Sequence, residues 1–150
     1  MPAAAIRLAP PAAADRAEWR HLYDDYAAFY RMPMDDRIAE ATWAWLQDPV
    51  HPVEGVLARL DGVAVGLVHF RPMPSPLRGA EVGFLDDLYV DPAARGRGVG
   101  EALIAHVAAV AQQRGWAKVR WLTADDNYRA RALYDRVAAK TSWNLYELTP

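Results

Sequence analysis

The chain has 150 residues, of which 53% are hydrophobic, and carries a formal net charge of -2 at pH 7. This length is typical of one domain, so we expect a single domain over residues 1–150. The charge gives no field that attracts nucleic acid, and no apolar run reaches the roughly 20 residues of a membrane span. The sequence therefore predicts a cytoplasmic protein without nucleic acid or membrane as a partner.

Nucleophilic side chains are scarce in this sequence. The chain has no cysteine, which excludes disulfides, thiolate ligands and thiol nucleophiles. Neither Ser75 nor Ser142 lies in a G-x-S-x-G turn. The histidines show no metal-binding spacing, so we expect them to be structural or exposed, and we predict no metal site. They are His21, His51, His69 and His106.

The first third of the chain reads as a short strand followed by two helices. The strand is expected at Ala5 to Ala9, before the Pro10-Pro11 break. Residues at helical spacing then predict a helix that ends near Met32, and a second helix runs from about Asp35 to Gln47. The residues that mark the first helix are Trp19, Leu22, Tyr23, Tyr26 and Tyr30.

The middle of the chain predicts an antiparallel sheet. Two β-rich runs, "VEGVLARL" and "VAVGLVHF", are separated by Asp61-Gly62, a favoured two-residue hairpin turn. The proline-rich "RPMPSPLRG" is predicted to be a loop, and the third strand is expected at Ala80 to Val90.

The last third changes to a strand, loop, helix and strand pattern. A glycine-rich loop precedes a helix that stops at Gly115, and a strand from Ala117 to Thr123 follows. This arrangement predicts that the strand lies parallel to Ala80–Val90. A last helix, "NYRARALYDRVA", and a terminal strand, "WNLYEL", complete an α/β pattern.

The loop "ARGRGVG" places glycines at every second position before a helix. Backbone N–H groups at a helix N-terminus favour a bound anion, and glycine allows close approach of that anion. Arg95 and Arg97 can add charge-assisted hydrogen bonds to a phosphate. The alternative is a tight strand-to-helix turn without a ligand.

Two nucleotide-binding patterns do not fit this loop. A mononucleotide P-loop needs a Gly-Lys pair, which the chain lacks. A dinucleotide fingerprint needs a third glycine where Glu101 or Leu103 stands.

The spacing that does fit is R-x-x-G-x-G, from Arg95 to Gly100, and it resembles the pyrophosphate loop of the GNAT superfamily of N-acetyltransferases. "LYVDPAARGRGVGEALI" is similar to the family's strand, loop and helix, and "NYRARALY" matches its N-x-x-A-x-x-L-Y signature. The group holding the yeast histone and D-amino-acid acetyltransferases looks closest. The resemblance implies a central mixed, mostly antiparallel sheet with a splayed parallel strand pair, flanked by helices.

The same resemblance implies acetyl-CoA as co-substrate. The pyrophosphate is expected on residues 95–100, and the pantetheine arm is expected between the splayed strands. Asn127 matches a position that contacts pantetheine or orders the following loop, although it also suits the N-cap of the last helix. The implied cofactor-binding residues are Leu88, Tyr89, Val90, Arg95, Gly96, Arg97, Gly98, Val99, Gly100, Asn127 and Tyr134.

Acetyl transfer requires a neutral amine and a proton for the departing thiolate. Similar polyamine acetyltransferases carry an acidic pair where this chain has Asp86 and Asp87, which we assign jointly to base or amine-binding work, with Asp86 preferred. Their strand positions predict side chains on opposite faces. Glu81 is the reserve base, and a solvated acidic doublet is the alternative. Tyr134 matches the family's proton donor; the alternative is a packed core tyrosine.

The acceptor is expected beside the first two helices. Their aromatic residues can attract a cation, although aromatic residues on a helix are ordinarily core; they are Tyr26, Phe29, Tyr30, Trp43 and Trp45. With the acidic residues, they favour a small cationic amine, a polyamine or an amino-acid-like molecule. A protein or histone lysine acetyltransferase and a non-catalytic acetyl-CoA-binding module stay as alternatives. Because its terminal strand can pair with a second copy, we expect a homodimer or higher homo-oligomer.

Overall fold

A five-stranded sheet in the order β1-β2-β3-β4-β5 forms the centre of the computed structural model, which describes residues 5–150. The first four strands pair antiparallel with their neighbours, and β4 pairs parallel with β5. The predicted mixed α/β sheet is thereby confirmed. The strands are β1 (Ile6–Ala9), β2 (Glu54–Leu60), β3 (Val63–Ser75), β4 (Ala80–Val90) and β5 (Val119–Arg120).

Four α-helices cover the two faces of the sheet in the described part of the chain. Trp19, Leu22 and Trp43 of the first two helices pack on one face, while Leu103 and Val107 of the third pack on the other. None of the helices described is long and apolar enough to cross a bilayer. The helices are α1 (Arg16–Phe29), α2 (Asp36–Gln47), α3 (Val99–Arg114) and α4 (Tyr128–Val137).

Local turn chemistry explains the hairpin between β2 and β3. Asp61 and Gly62 have φ angles of 51° and 81°, which a type I′ turn requires at both central residues. Leu60 therefore lies directly opposite Val63. The hairpin predicted from Asp61-Gly62 is confirmed.

The predicted proline loop is wrong over its first half. β3 continues to Ser75, and its Pro72 and Pro74 lie opposite Gly83 and Glu81 of β4. The pairing of β3 with β2 ends at Phe70, so a strand with one neighbour tolerates residues that lack an N–H. The hairpin turn itself is confined to the short 3-10 helix Pro76–Arg78 and Gly79.

The predicted terminal strand over residues 143–148 is also wrong. The described residues 138–150 contain no strand, and Trp143 and Leu148 are 86% and 91% exposed. The apolar composition suits a strand, but strand formation needs a neighbour. β5 is only two residues long, shorter than the predicted Ala117–Thr123, and offers almost no edge within one copy.

Two irregularities of β4 determine which of its backbone groups and side chains are accessible. Its pairing with β5 covers only Gly83 and Phe84, so its later residues have no partner on that side. Against β3 the register shifts, with His69 opposite Asp87 and Phe70 opposite Leu85. Asp86 is therefore the extra residue of a β-bulge, which re-aims neighbouring side chains.

We expect Gly83→Ala to destabilise the protein by about 1–3 kcal/mol because of overpacking. A Cβ at Gly83 would lie 2.6 Å from Cε3 of the buried Trp116. Urea unfolding measures the change. Trp116→Phe is the matched second substitution, since its smaller ring makes room for the added methyl group. The double variant should lose less unfolding free energy than the sum of the losses of the two single variants. Additive losses would contradict the proposed clash.

Candidate active site

An open cleft of about 620 Å³ lies where β4 has lost its β5 partner. Its walls are the end of β4, the loop before α3 with the first turn of that helix, one side of α4 and the end of α1. Of the predicted cofactor residues, all but Arg97 line it. Those lining residues are Leu88, Tyr89, Val90, Arg95, Gly96, Gly98, Val99, Gly100, Asn127 and Tyr134.

The three glycines of the loop meet two different structural requirements. Gly96 and Gly98 both have φ of 80°, a conformation that side chains disfavour, and no atom stands where their Cβ atoms would be. Gly100 lies in the first turn of α3, where a Cβ would approach Leu133 of α4 to 3.2 Å. The first pair shapes the loop, and the third allows α3 and α4 to pack closely beside the cleft.

The N-terminus of α3 is available to an anion. Gly98 is the N-cap residue and has no side chain to cap the helix, so the first N–H groups of α3 lack intrahelical acceptors. These donors and the positive end of the helix dipole favour a phosphate. The loop thus has the geometry of an anion site as well as that of a turn.

Three arginines near this anion site have no ion-pair partner within 4 Å among the described residues: Arg95, Arg97 and Arg129. Arg95 and Arg129 line the cleft. Sequence reasoning missed Arg129, although its place two residues after Asn127 was a usable signal. Arg136 also lines the cleft but is paired with Glu101 at 3.1 Å.

Tyr134 lies half-buried in the cleft wall, on α4. Its ring packs edge-on against Trp121, with 5.4 Å between the ring centroids. Burial and the nearby Tyr30 raise the pKa of Tyr134 to about 12. The phenol therefore keeps its proton over the whole neutral range and faces the cleft as a hydrogen-bond donor.

Asn127 joins α4 to the end of α1. Its side-chain oxygen accepts a hydrogen bond from the N–H of Ala130 at 3.4 Å, as an N-cap residue does. Its amide nitrogen donates to the Tyr30 hydroxyl at 3.1 Å. The capping interpretation therefore describes the geometry, and Asn127 also fixes a tyrosine at the cleft.

Asp86 and Asp87 do not lie on opposite faces of the sheet, and that prediction is wrong. Asp86 contacts Nε of Arg71 at 3.1 Å, and Asp87 contacts Nδ1 of His69 at 2.8 Å. Arg71 and His69 are two residues apart on β3 and so share a face. The bulge at Asp86 interrupts the alternation on β4 and turns both carboxylates towards the face covered by α1.

The two carboxylates have different electrostatic environments. Burial raises the pKa of Asp87, but His69 and the nearby hydroxyl groups of Tyr26 and Tyr23 lower it by more, so it lies below its usual value. Burial raises the pKa of Asp86, and Arg71 offsets this only in part, so it lies above its usual value. Glu81 is exposed at the far end of β4, outside the cleft.

A row of tyrosines on α1 runs from Asp87 to the cleft. The Tyr23 hydroxyl donates to Asp87 at 3.0 Å. Ring centroids are 5.9 Å apart for Tyr23 and Tyr26 and 5.1 Å apart for Tyr26 and Tyr30. Tyr30 and Phe29 line the cleft, whereas Tyr26 lies behind them.

The two tryptophans predicted near the acceptor lie elsewhere. Trp43 is buried in the core and packs against Trp19. Trp45 stacks on His51, away from the cleft. Sequence reasoning also undervalued His69, which is buried beside Asp87; the signal was a polar residue inside the apolar run "VAVGLVHF".

The splayed strand edge and the glycine loop at a helix N-terminus define an acetyl-CoA-dependent N-acetyltransferase. The chain belongs to the acetyltransferase (GNAT) family, whose model matches residues 17–138.

Comparisons with individual proteins agree with this class. The chain is 36% identical over 135 residues to the D-amino-acid N-acetyltransferase HPA3 of Saccharomyces cerevisiae, covering 89% of this chain and 84% of that protein. It is 37% identical over 78 residues to the thialysine N-epsilon-acetyltransferase of Bos taurus, covering 52% of this chain and 44% of that one. The crystal structure of ribosomal-protein-alanine N-acetyltransferase from Brucella melitensis biovar Abortus 2308 superposes with a TM-score of 0.81 at 30% identity, covering 97% and 99% of the two chains.

Gly98→Ala is expected to weaken acetyl-CoA binding by about tenfold or more, since it strains the loop and places a methyl group before the helix N-terminus. The matched control is Gly62→Ala, which has the same φ to within a degree and equally open surroundings but lies in the hairpin turn. Isothermal titration with acetyl-CoA compares the two variants. Equal affinities would show that the loop is not the pyrophosphate site.

Proposed function

We propose that the acceptor is a small cationic primary amine, either amino-acid-like or a polyamine, which attacks acetyl-CoA directly in a ternary complex. The observation that carries this proposal is the row of α1 tyrosines that leads from the buried carboxylate of Asp87 to the cleft. Aromatic faces and a fixed anion both favour a cation. The names of HPA3 and the thialysine enzyme, each with an amino acid as acceptor, support the amino-acid-like choice.

Acetyl-CoA is expected to lie along the unpaired edge of β4. Successive strand residues alternate in the side to which their N–H and C=O groups point, and the N–H of Asp91 bonds Val65 of β3. The backbone groups of Leu88 and Val90 therefore face the open edge and can hydrogen-bond the two amides of pantetheine as a neighbouring strand would, whereas those of Tyr89 face Leu67 of β3. The first turn of α3 binds the pyrophosphate, and Arg95 and Arg129 can form charge-assisted hydrogen bonds with it. The backbone N–H groups near Leu88 are then in position to stabilise the oxyanion.

The attacking amine must lose a proton first. A primary amine with a pKa near 10.4 costs about 4–5 kcal/mol to deprotonate at pH 7. Asp86 is the better base, because its pKa is raised, whereas Asp87 keeps its charge and suits amine binding. Two neighbouring carboxylates with opposite pKa shifts are a common basis for such a division of roles.

Tyr134 supplies the donor for the departing thiolate. Its pKa of about 12 lies above the value near 8.5 of a thiol, so complete transfer alone is uphill by about 5 kcal/mol. The phenol therefore acts first by hydrogen-bonding the developing thiolate. Complete transfer is coupled to the loss of a proton from the attacking nitrogen, which is cationic and acidic once it has bonded to the thioester carbon.

The acetyl group passes directly to the amine in this proposal. The chain has no cysteine to carry a thioester intermediate. The new C–N bond forms as the amine attacks the thioester carbon, and the C–S bond breaks when the tetrahedral intermediate collapses. Initial velocities at several fixed concentrations of each substrate should give intersecting lines, whereas parallel lines would contradict direct transfer.

Tyr134→Phe should lower kcat by about 100-fold or more while acetyl-CoA affinity stays within about twofold, because the ring is kept and only the donor is lost. Turnover is followed by release of the free thiol, and affinity by titration. Tyr128→Phe is the matched control on the same helix, since Tyr128 is 73% exposed and lies outside the cleft. Equal kcat in the two variants would remove Tyr134 from the reaction.

The acceptor class is tested with a panel of polyamines, both enantiomers of free amino acids, basic peptides and neutral amines. We expect cationic small amines to give the highest kcat/KM. Asp87→Asn should raise the KM for these amines by about tenfold or more, whereas Glu81→Gln should not change it. Preference for a neutral amine would reject the cationic acceptor, and preference for peptides would favour a protein substrate. Acetyl-CoA binding without turnover of any amine would indicate a non-catalytic binding module.

The homo-oligomeric state and the cytoplasmic location stay predictions. The exposed apolar side chains of residues 138–150, such as Trp143 and Leu148, support association with a second copy.

A further inference from the structure

A buried chain of hydrogen bonds links α1 to Asp87. The indole Nε1 of Trp19 lies 3.0 Å from Nε2 of His69, and Nδ1 of His69 lies 2.8 Å from a carboxylate oxygen of Asp87. Trp19 and His69 are only 1% and 2% exposed, so water does not replace either partner.

The donor of each bond in this chain is fixed by chemistry. An indole N–H can only donate, so Nε2 of His69 must be the acceptor and must carry no proton. The proton of the neutral imidazole is therefore on Nδ1, and it is donated to Asp87. A second proton on His69 would bring two donors face to face at 3.0 Å. Trp19 thereby holds His69 in one neutral tautomer.

The surroundings of Asp87 depend on this tautomer. The ionisable groups that face it are His69 from β3, Tyr23 and Tyr26 from α1, and its neighbour Asp86, whose charge is balanced by Arg71. From α2, the uncharged Thr42 and Trp43 pack in the same region. A neutral His69 leaves the negative charge of Asp87 uncompensated, whereas a cationic His69 would neutralise it where a cationic amine has to bind.

We propose that Trp19 and His69 are positioning residues for acetyl transfer: Trp19 fixes His69 as a neutral Nδ1–H donor, and His69 orients the Asp87 carboxylate and leaves its charge free for the amine. This inference rests on the proposed function, because it needs a cationic acceptor at Asp87. No bond to the substrate is made by either residue.

The first test needs no enzyme activity. In nitrogen-15 spectra of the imidazole groups, wild-type His69 should show a protonated Nδ1 and an unprotonated Nε2, because the indole of Trp19 can only donate. In Trp19→Phe, which lacks the indole donor, the Nε2–H tautomer of His69 should also appear. An Nε2–H tautomer in the wild type would overturn the inference.

The second test compares two replacements of His69. Asparagine places an N–H donor near the position of Nδ1, whereas leucine has a similar volume and no donor. We expect His69→Leu to raise the KM for the cationic amine about tenfold or more and to move the acid limb of kcat/KM to higher pH, with acetyl-CoA affinity unchanged. His69→Asn should restore the KM to within about threefold. Equal KM values for the wild type and His69→Leu would overturn the proposal.

Trp19→Phe adds a signature that a packing defect would not produce. Its KM for the cationic amine should rise about fivefold or more while kcat and acetyl-CoA affinity stay within about twofold, because only the orientation of the Asp87 carboxylate changes. A fall in kcat with no change in the KM for the amine would contradict the positioning role. If the wild type binds acetyl-CoA but acetylates no amine, the proposed function fails instead, and the tautomer experiment still reports on the hydrogen-bond chain.

Discussion

The pairing of β4 with β5 stops at Phe84, and the cleft depends on this early end. Backbone donors and acceptors left without a partner are costly when buried, and they normally find one in a neighbouring strand. Here the unpaired stretch of β4 forms a wall of the cleft. A ligand that carries amide groups can complete that edge, so the same strand suits both the sheet and the proposed binding site. Trp116 packs at Gly83, the first of the two paired positions, because only a residue without a side chain fits against that ring.

Two separate charge environments meet at this strand. At its end, the N-terminus of α3 is available to an anion, and Arg95 and Arg129 line the cleft there without an ion-pair partner among residues 5–150. Earlier in β4, the bulge at Asp86 places the carboxylates of Asp86 and Asp87 on the face that α1 covers. An anionic co-substrate would be attracted to the end of β4, and a cationic acceptor would be attracted to the two carboxylates. The two reactants would thus be oriented by separate sets of residues. Asn127 and Tyr30 bridge the two regions through one hydrogen bond.

Features set by neighbouring residues could be predicted from the sequence. The Asp61-Gly62 turn, the glycine loop and the stop of α3 at Gly115 each depend on local backbone chemistry, and each lies where it was expected. Features that depend on residues distant in the sequence could not be predicted. The extension of β3 through Pro72 and Pro74 depends on where β2 ends, and the isolation of residues 143–148 depends on the length of β5. The shared face of Asp86 and Asp87 follows from a bulge that only the pairing with β3 creates. His69 was undervalued for the same reason, since its partners lie 50 and 18 residues away.

The orientation of α1 decides which side chains reach the acceptor region. Arg59 of β2 bonds Asp15 at 2.7 Å and Glu18 at 2.9 Å near the start of the helix, but such ion pairs at the surface contribute at most about 1 kcal/mol each. The buried indole of Trp19 packs against Trp43 and is also bonded to His69, and burial of a large aromatic ring is worth more than a surface ion pair. The same residue therefore anchors the helix and fixes the tautomer of His69. Because Tyr23, Tyr26 and Tyr30 follow Trp19 at helical spacing, that one anchor sets the direction of the tyrosine row from Asp87 to the cleft.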